Sequence, residues 1–370
     1  MRNKISSKQL AALLLAFLTG SAIMNVPGPL IGFAKNGAWL SLLLSSLCGL
    51  LLLLLILFMI RRNPGKTWIE VCRYRAGTVT ASLLAIPFVI YVFIMLTWIV
   101  LDIGAFFTKT MMPETPLFVF NGLILLTAAL TARAGLEVIG RMFVLLVFLM
   151  MFFSFAVLIL TIPHYHPSYL LPVLEDGWKP VLHGAYFTFG FPYAEITIFS
   201  MLLPLADSGR SMKLAPYVLT VFAINVFSLL ASTVCTIMSF GPLAGELQYS
   251  VFEIARLISI QEFVDRVESV IGISLVIGSY MKVTIALYVL NLACSQLTGV
   301  RDGRLLVMPI TISSFILSLT MFSNEAQFAE KVTTVWPFVN LIGGVIPVVF
   351  VAGLSLMKVG ASEKASRRST

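Results

Sequence analysis

Charge and histidine are scarce in this chain. Only 11% of its 370 residues are charged and three are histidines, a composition that leaves little for a soluble domain with a titratable active site. His164, His166 and His183 fall in or beside one loop, without a nucleophile or a metal set in register, and a lone His pair two residues apart is usually incidental. The four cysteines, Cys48, Cys72, Cys235 and Cys294, lie apart in or beside apolar segments, with the spacing of neither a metal site nor a disulfide framework. They read as small apolar residues. A Walker-type glycine loop is missing, so ATP drive is not encoded. The expectation is a protein that is not an enzyme and that carries no metal or other cofactor.

What the chain does have is hydrophobic length. Apolar residues make up 59% of it and the mean hydropathy is +0.98, which places it in the lipid bilayer as a polytopic membrane protein. Runs of roughly 20 apolar residues predict ten spans, centred near residues 21, 49, 93, 124, 151, 194, 227, 283, 313 and 345. Pro116 to Thr131 is short. With the N-terminus in the cytoplasm, 18 of the 25 basic residues fall inside, six outside, and Lys282 stays within a span. That asymmetry supports ten spans with both termini cytoplasmic, because one helix too many or too few would swap the later loops and cancel it. It also accounts for the net charge of +8 without nucleic acid as a partner. The first span, starting near Lys8, reads as a retained helix rather than a signal peptide. The chain is expected to form one transmembrane domain over residues 1–359, followed by a disordered polar tail, 360–370. In the outer loop from Gly241 to Glu268, residues Ser250 to Phe263 form a short amphipathic pattern suited to lying on the membrane or capping a cavity.

Two spans are interrupted in the middle, from Gly20 to Pro29 and from Gly184 to Glu195. Pro27 and Pro192 lack the amide proton a helix needs, and nearby glycines let the backbone unwind, which at bilayer depth is tolerable only beside a cavity. The interrupted spans are the first and the sixth, and five spans precede the long outer loop near residue 170 while five follow it. An odd number of spans per half gives the halves opposite orientation. The expected fold is therefore an all-α membrane protein of ten transmembrane helices, a five-plus-five inverted repeat (about 8–162 and 182–357) with broken first and sixth helices and a ligand site near the midplane.

Asp102, Glu195 and Lys282 are the ionisable residues left inside apolar segments. A charge at a helix centre costs on the order of 2.5–3.5 kcal/mol, so such groups normally face a cavity or a partner. Glu195 follows the second break by one turn, where it can cap unwound backbone, contact a ligand amine or handle a proton. Lys282 can pair with Glu195, or stand where a coupling cation sits in related architectures. On the third span Tyr91, Met95, Trp98 and Asp102 form one stripe, readable either as cavity wall or as core with an interfacial Asp102. On the eighth, Thr284 lies on a polar stripe with Tyr280, Tyr288 and Asn291, about 200° around the helix from Lys282. Stripes of this kind are more often helix contacts than ligand contacts.

Several separated motifs resemble one family. They are Ile5 to Leu10, Gly20 to Ala22 with Pro27, Ala134 to Arg141, Phe189 to Glu195 with Pro204, Phe252 to Ile258, and Asp265 to Glu268. Together they are similar to the spore germination permeases, the B subunits of GerA-type nutrient germinant receptors. The resemblance implies an APC/LeuT-like fold of the amino acid, polyamine and organocation transporter superfamily. It also implies a place in the spore inner membrane beside an A subunit and a lipoprotein C subunit, and recognition of a small nutrient such as an amino acid. By position it matches Gly20 to the first-helix break, Tyr91 to the third-helix wall and Thr284 to the eighth-helix edge of the pocket. The candidate ligand-binding residues are Gly20, Ser21, Asn25, Tyr91, Trp98, Phe189, Gly190, Glu195 and Thr284, with Asp102, Glu195 and Lys282 as proton or ion-pair candidates. A binding-only receptor is the first functional expectation. A proton-coupled amino acid permease is the alternative, and a membrane partner that binds no ligand is the third.

Overall fold

A computed structural model describes residues 5–206, 214–258, 268–300, 302–322 and 324–356. The tail from residue 360, the end of the amphipathic pattern at Phe263 and the motif residues Asp265 to Val267 lie outside them. Among the described residues nine helical stretches are long and apolar enough to cross a membrane. A tenth, Arg304–Thr320, has 17 residues. At 1.5 Å per residue it reaches about 25 Å, a little short of a bilayer core of about 30 Å. The fourth span, Leu117–Ala134, is short as expected, with 18 residues, and the ninth is one residue shorter.

The first span is built from α1 (Ser7–Thr19), α2 (Ala22–Asn25) and α3 (Pro27–Ala34). Ser6 caps α1 through a reciprocal box with Gln9, satisfying amide groups that would otherwise be orphaned. The helical path fails at Gly20, with φ −31° and ψ −82°, and resumes at Ala22. The interruption is shorter than the sequence suggests. Pro27 occupies the first turn of α3, where no amide proton is needed, and Val26 before it keeps helical torsions.

The second span is α4 (Ala38–Arg62) and the third belongs to α5 (Trp68–Phe106). Gly77, at φ 88°, cuts α5 into a short leading segment and a long span. That leading segment is tied down at several points. Arg73 donates to the Gln296 carbonyl, Arg75 to the Leu354 carbonyl and to Asn63, and Thr67 to the Gln296 side chain. The fourth and fifth spans, α6 (Leu117–Ala134) and α7 (Leu136–Leu160), are joined through Gly135 alone, at φ 97°, a conformation that favours glycine.

The second half starts with α8 (Trp178–Thr188). Its helix gives way to an irregular turn over Phe189–Tyr193, with Phe191 at φ −138° and ψ 109°, then to a tight 3₁₀ segment Ala194–Ile198 and the short α9 (Phe199–Leu202). Next come α10 (Leu214–Phe240), the short α11 (Ser250–Arg256) and α12 (Glu268–Thr298). They are followed by α13 (Arg304–Thr320) and the polar α14 (Glu325–Thr334). The tenth span joins α15 (Trp336–Asn340) to α16 (Ile346–Leu356) through the turn Leu341–Val345. α11 does not rest on the surface: Val251, Phe252, Ile254 and Ala255 are buried, and Phe252 packs edge-on against Phe106.

The broken spans sit innermost, where burial is nearly complete from Leu10 to Ala22 and from Gly190 to Pro204. The outer helices turn apolar side chains such as Leu51, Leu123 and Phe148 outward, as a lipid-facing surface requires. At the centre, α1 and α12 cross with backbone touching backbone. A Cβ added at Gly20 would lie 2.8 Å from the Gly278 carbonyl oxygen, and one at Gly278 would lie 2.5 Å from that of Gly20. This reciprocal pair is the small-residue contact through which membrane helices approach closely.

Candidate functional site

A cavity of about 100 Å³ lies beside both helix breaks. An engineered cavity of ~150 Å³ accepts benzene, so the volume suits a ligand of that size or smaller. Ser21, Asn25 and Pro29 line it from the first span, Met95, Trp98, Ile99 and Asp102 from α5, and Phe187, Phe191 and Glu195 from the sixth. Trp336 closes one side, Gln248 contributes from the loop after α10, and Phe328, Ala329, Val332 and Thr333 cover it from α14. The aromatic wall is continuous. Trp98 lies 4.9 Å from Trp336, 5.8 Å from Phe328 and 5.6 Å from Phe322 between ring centroids, spacings at which aromatic pairs attract beyond simple burial.

Two polar constellations set its electrostatics. In the first, each oxygen of the Glu195 carboxylate has a near neighbour: Oε2 forms an ion pair with the Lys282 ammonium at 2.7 Å, and Oε1 accepts from Trp336 Nε1 at 3.0 Å. Both ionic side chains are buried, at 0% exposure for Lys282 and 2% for Glu195. The ammonium also sits 4.3 Å from the Phe191 ring and 5.0 Å from the Phe17 ring, one aromatic from each broken span, in reach of cation–π attraction. Lys282 thus ties α12 to both breaks. In the second, Asp102 Oδ2 accepts from the Asn25 amide, joining α5 to α2. A carboxylate can only accept, so this contact fixes the amide nitrogen toward Asp102 and leaves Asn25 Oδ1 buried without a partner.

Of the residues singled out in the sequence, Ser21, Asn25, Trp98, Asp102 and Glu195 come together on the cavity. Gly20 packs on Gly278 instead. Tyr91 is buried against Trp336 and Phe88, beside Gly343 and Gly344, one layer behind the wall. Gly190 packs on Pro337, and neither it nor Phe189 borders the cavity. Thr284 is buried in α12 and donates to its own helix at the Tyr280 carbonyl, and Lys282 reaches the site through Glu195 and Phe191. Thr284→Val is therefore expected to lower thermal stability by no more than about 1 kcal/mol and to leave ligand response intact. A shifted dose–response curve would put Thr284 at the ligand.

Trp336 and the α14 residues escaped sequence reasoning. Trp336 stands at the head of an apolar run, and the charged residues of α14 surround Phe328 in the sequence. Helical spacing of Phe328, Ala329, Val332 and Thr333 is the signal that could have found them. Among the described residues no group of three His, Cys, Asp or Glu side chains could hold a metal ion.

A family model described as spore germination protein matches residues 4–326. The chain belongs to this family. Spore germination protein KB of Bacillus subtilis (strain 168) is 25% identical over 337 residues, 90% of this chain and 89% of that protein. Spore germination protein XB of Bacillus anthracis is 24% identical over 320 residues, covering 85% and 87%. Among solved structures, a Na⁺-coupled sialic acid symporter in a substrate-bound, outward-open state aligns over 96% of this chain and 78% of its own, with a TM-score of 0.68 and 12% identity. MhsT in complex with L-phenylalanine aligns over 95% and 88%, with a TM-score of 0.67 and 13% identity. At such identities the likeness shows the fold alone, and the fold is the one the span count and the broken first and sixth helices predict. This spore germination protein is accordingly a multi-pass membrane protein of permease architecture.

Proposed function

We propose that this chain is the nutrient-sensing membrane subunit of a germinant receptor in the bacterial spore inner membrane, binding a small nutrient in the cavity between its two broken helices. One observation carries the proposal: a chain matched to the spore germination family over residues 4–326 holds an aromatic-walled cavity bordered by both breaks. An amino acid is the first candidate ligand. An A subunit and a lipoprotein C subunit are the proposed partners, with both chain termini on the spore-core side. Signalling by occupancy requires no bond to be made or broken, which supports a role other than enzymatic.

Exchange of this subunit between two receptors of different germinant preference tests the proposal. Germinant choice is expected to travel with the chain, and choice that stays with the other subunits would remove the cavity from nutrient recognition. Val332→Trp tests the site itself. Val332 is half-buried on α14, outside the packed centre, and an indole there fills a cavity of about 100 Å³. Loss of nutrient response with an unchanged melting temperature is expected. Sustained proton-coupled uptake into vesicles, abolished by Glu195→Gln, would establish a permease instead.

A further inference from the structure

We infer that the groove between α5, α6 and α12 is a binding site for a bilayer phospholipid, whose acyl chain it holds against the paired hydroxyls of Tyr280 and Thr131. The site is separate from the cavity at the helix breaks, with which it shares no lining residue.

The groove has a volume of about 720 Å³ and opens on the lipid-facing side of the molecule. Leu123 and Leu130, 58% and 57% exposed, belong both to its rim and to that outward apolar surface, so the site continues the bilayer contact described above. At one end Phe107 and Phe120 stack with ring centroids 5.1 Å apart. Tyr280 stands at the other. No charged side chain lines the groove among the described residues. Its hydroxyl protons are all used within the walls. Thr127 donates to the Leu123 and Ile124 carbonyls and Thr131 to the Thr127 carbonyl, while the Tyr280 hydroxyl lies 2.6 Å from Thr131 Oγ1. A hydroxyl has a single proton, and that of Thr131 is spent on its own helix, so Tyr280 is the donor of the pair. The lining side chains thus hold out neither a charge nor a donor to an occupant.

An apolar cavity stays dry, and one left empty forfeits the dispersion contacts of its walls. Hydrocarbon is the material that suits it. In a membrane that means a lipid chain or the side of another helix, and two observations favour the chain. Membrane helices associate through small residues that let backbones approach, or through polar groups bonded across the contact. Here large apolar side chains line the walls and the hydroxyl protons are committed. Length agrees. From Phe120 to Thr131 the α6 axis rises about 17 Å, roughly half of a hydrocarbon core of about 30 Å, which is the depth of one leaflet rather than of a spanning helix. Met112, 52% exposed where the chain turns between α5 and α6, marks the end at which the headgroup stays outside.

Native mass spectrometry of the full-length protein, purified on its own and washed in mild detergent, tests the site. A single retained phospholipid, identified by its mass and phosphorus content, is expected. Thr127→Trp places an indole in the groove from an exposed position whose hydroxyl bonds only its own helix, and is expected to abolish the adduct with the melting curve showing an intact fold. Leu130→Trp repeats the block nearer Tyr280 should the first variant fail to accumulate. Leu126→Trp, likewise exposed on α6 but outside the lining, is expected to keep the lipid. Wild-type protein that retains no phospholipid, or an adduct that survives both groove variants, would overturn the inference. So would equal loss from Leu126→Trp, the mark of lipid held by the whole surface. A dimer that Thr127→Trp dissolves would give the groove to a second copy of the chain instead.

Discussion

Lys282→Met is expected to destabilise the protein by about 3–5 kcal/mol, because removing one partner strands the other charge at a buried site. The residue sits at 0% exposure with its ammonium 2.7 Å from Glu195, and no other carboxylate pairs with it among the described residues. The loss reads out as a lowered midpoint in thermal unfolding of the purified protein. The paired change Lys282→Met with Glu195→Gln discriminates the cause. It removes both charges while a carboxamide oxygen still faces Trp336, so most of the lost stability is expected to return, as buried ion pairs replaced together commonly tolerate. If the double variant melts no higher than the single, the lysine stem rather than its charge holds the core. A germination defect that persists in a restabilised double variant would assign the pair a part in signalling beyond the fold.

Gly278→Val carries the second large effect. The first added carbon would lie 2.5 Å from the Gly20 carbonyl oxygen and 2.7 Å from its carbon, backbone atoms that no side-chain rotation can relieve. Overpacking usually costs 1–3 kcal/mol, and a backbone-to-backbone clash at a helix crossing belongs at or above the top of that range, about 3 kcal/mol. Poor accumulation in the membrane and a depressed melting point are the expected results. Gly20→Ala should follow the same direction, since its Cβ would meet the Gly278 oxygen at 2.8 Å. Normal stability with altered nutrient response would instead make Gly20 a ligand contact.

These two sites show what the sequence could and could not say. Asp102, Glu195 and Lys282 were legible because charge at bilayer depth is expensive and must be matched, and the structure pairs Glu195 with Lys282 and bonds Asp102 to Asn25. Ten spans were legible because hydropathy and basic-residue bias test each other. Glycine was ambiguous. The same residue permits a helix to unwind and two helices to touch, and at Gly20 the backbone does both. Proline misled in length rather than in place: Pro27 reads as a breaker, yet at the first turn of α3 it costs the helix no hydrogen bond. The aromatic wall stayed hidden because Trp336, Phe328 and Phe322 come together from separate elements, and in an apolar chain one more aromatic residue draws no notice.

The arginine-bearing segment ahead of Gly77 gives the molecule an uneven pair of doors. On that face Arg73, Arg75 and Thr67 bolt the ends of α4, α12 and α16 together, and parting them means breaking several hydrogen bonds at once, each worth about 0.5–1.5 kcal/mol, or about 1.5–3 kcal/mol where a guanidinium donates. On the opposite face the cavity is roofed by a ten-residue helix and the Gln248 side chain. A visitor admitted under that roof is expected to find the way back easier than the way through, the asymmetry that the proposed receptor role requires of a permease scaffold.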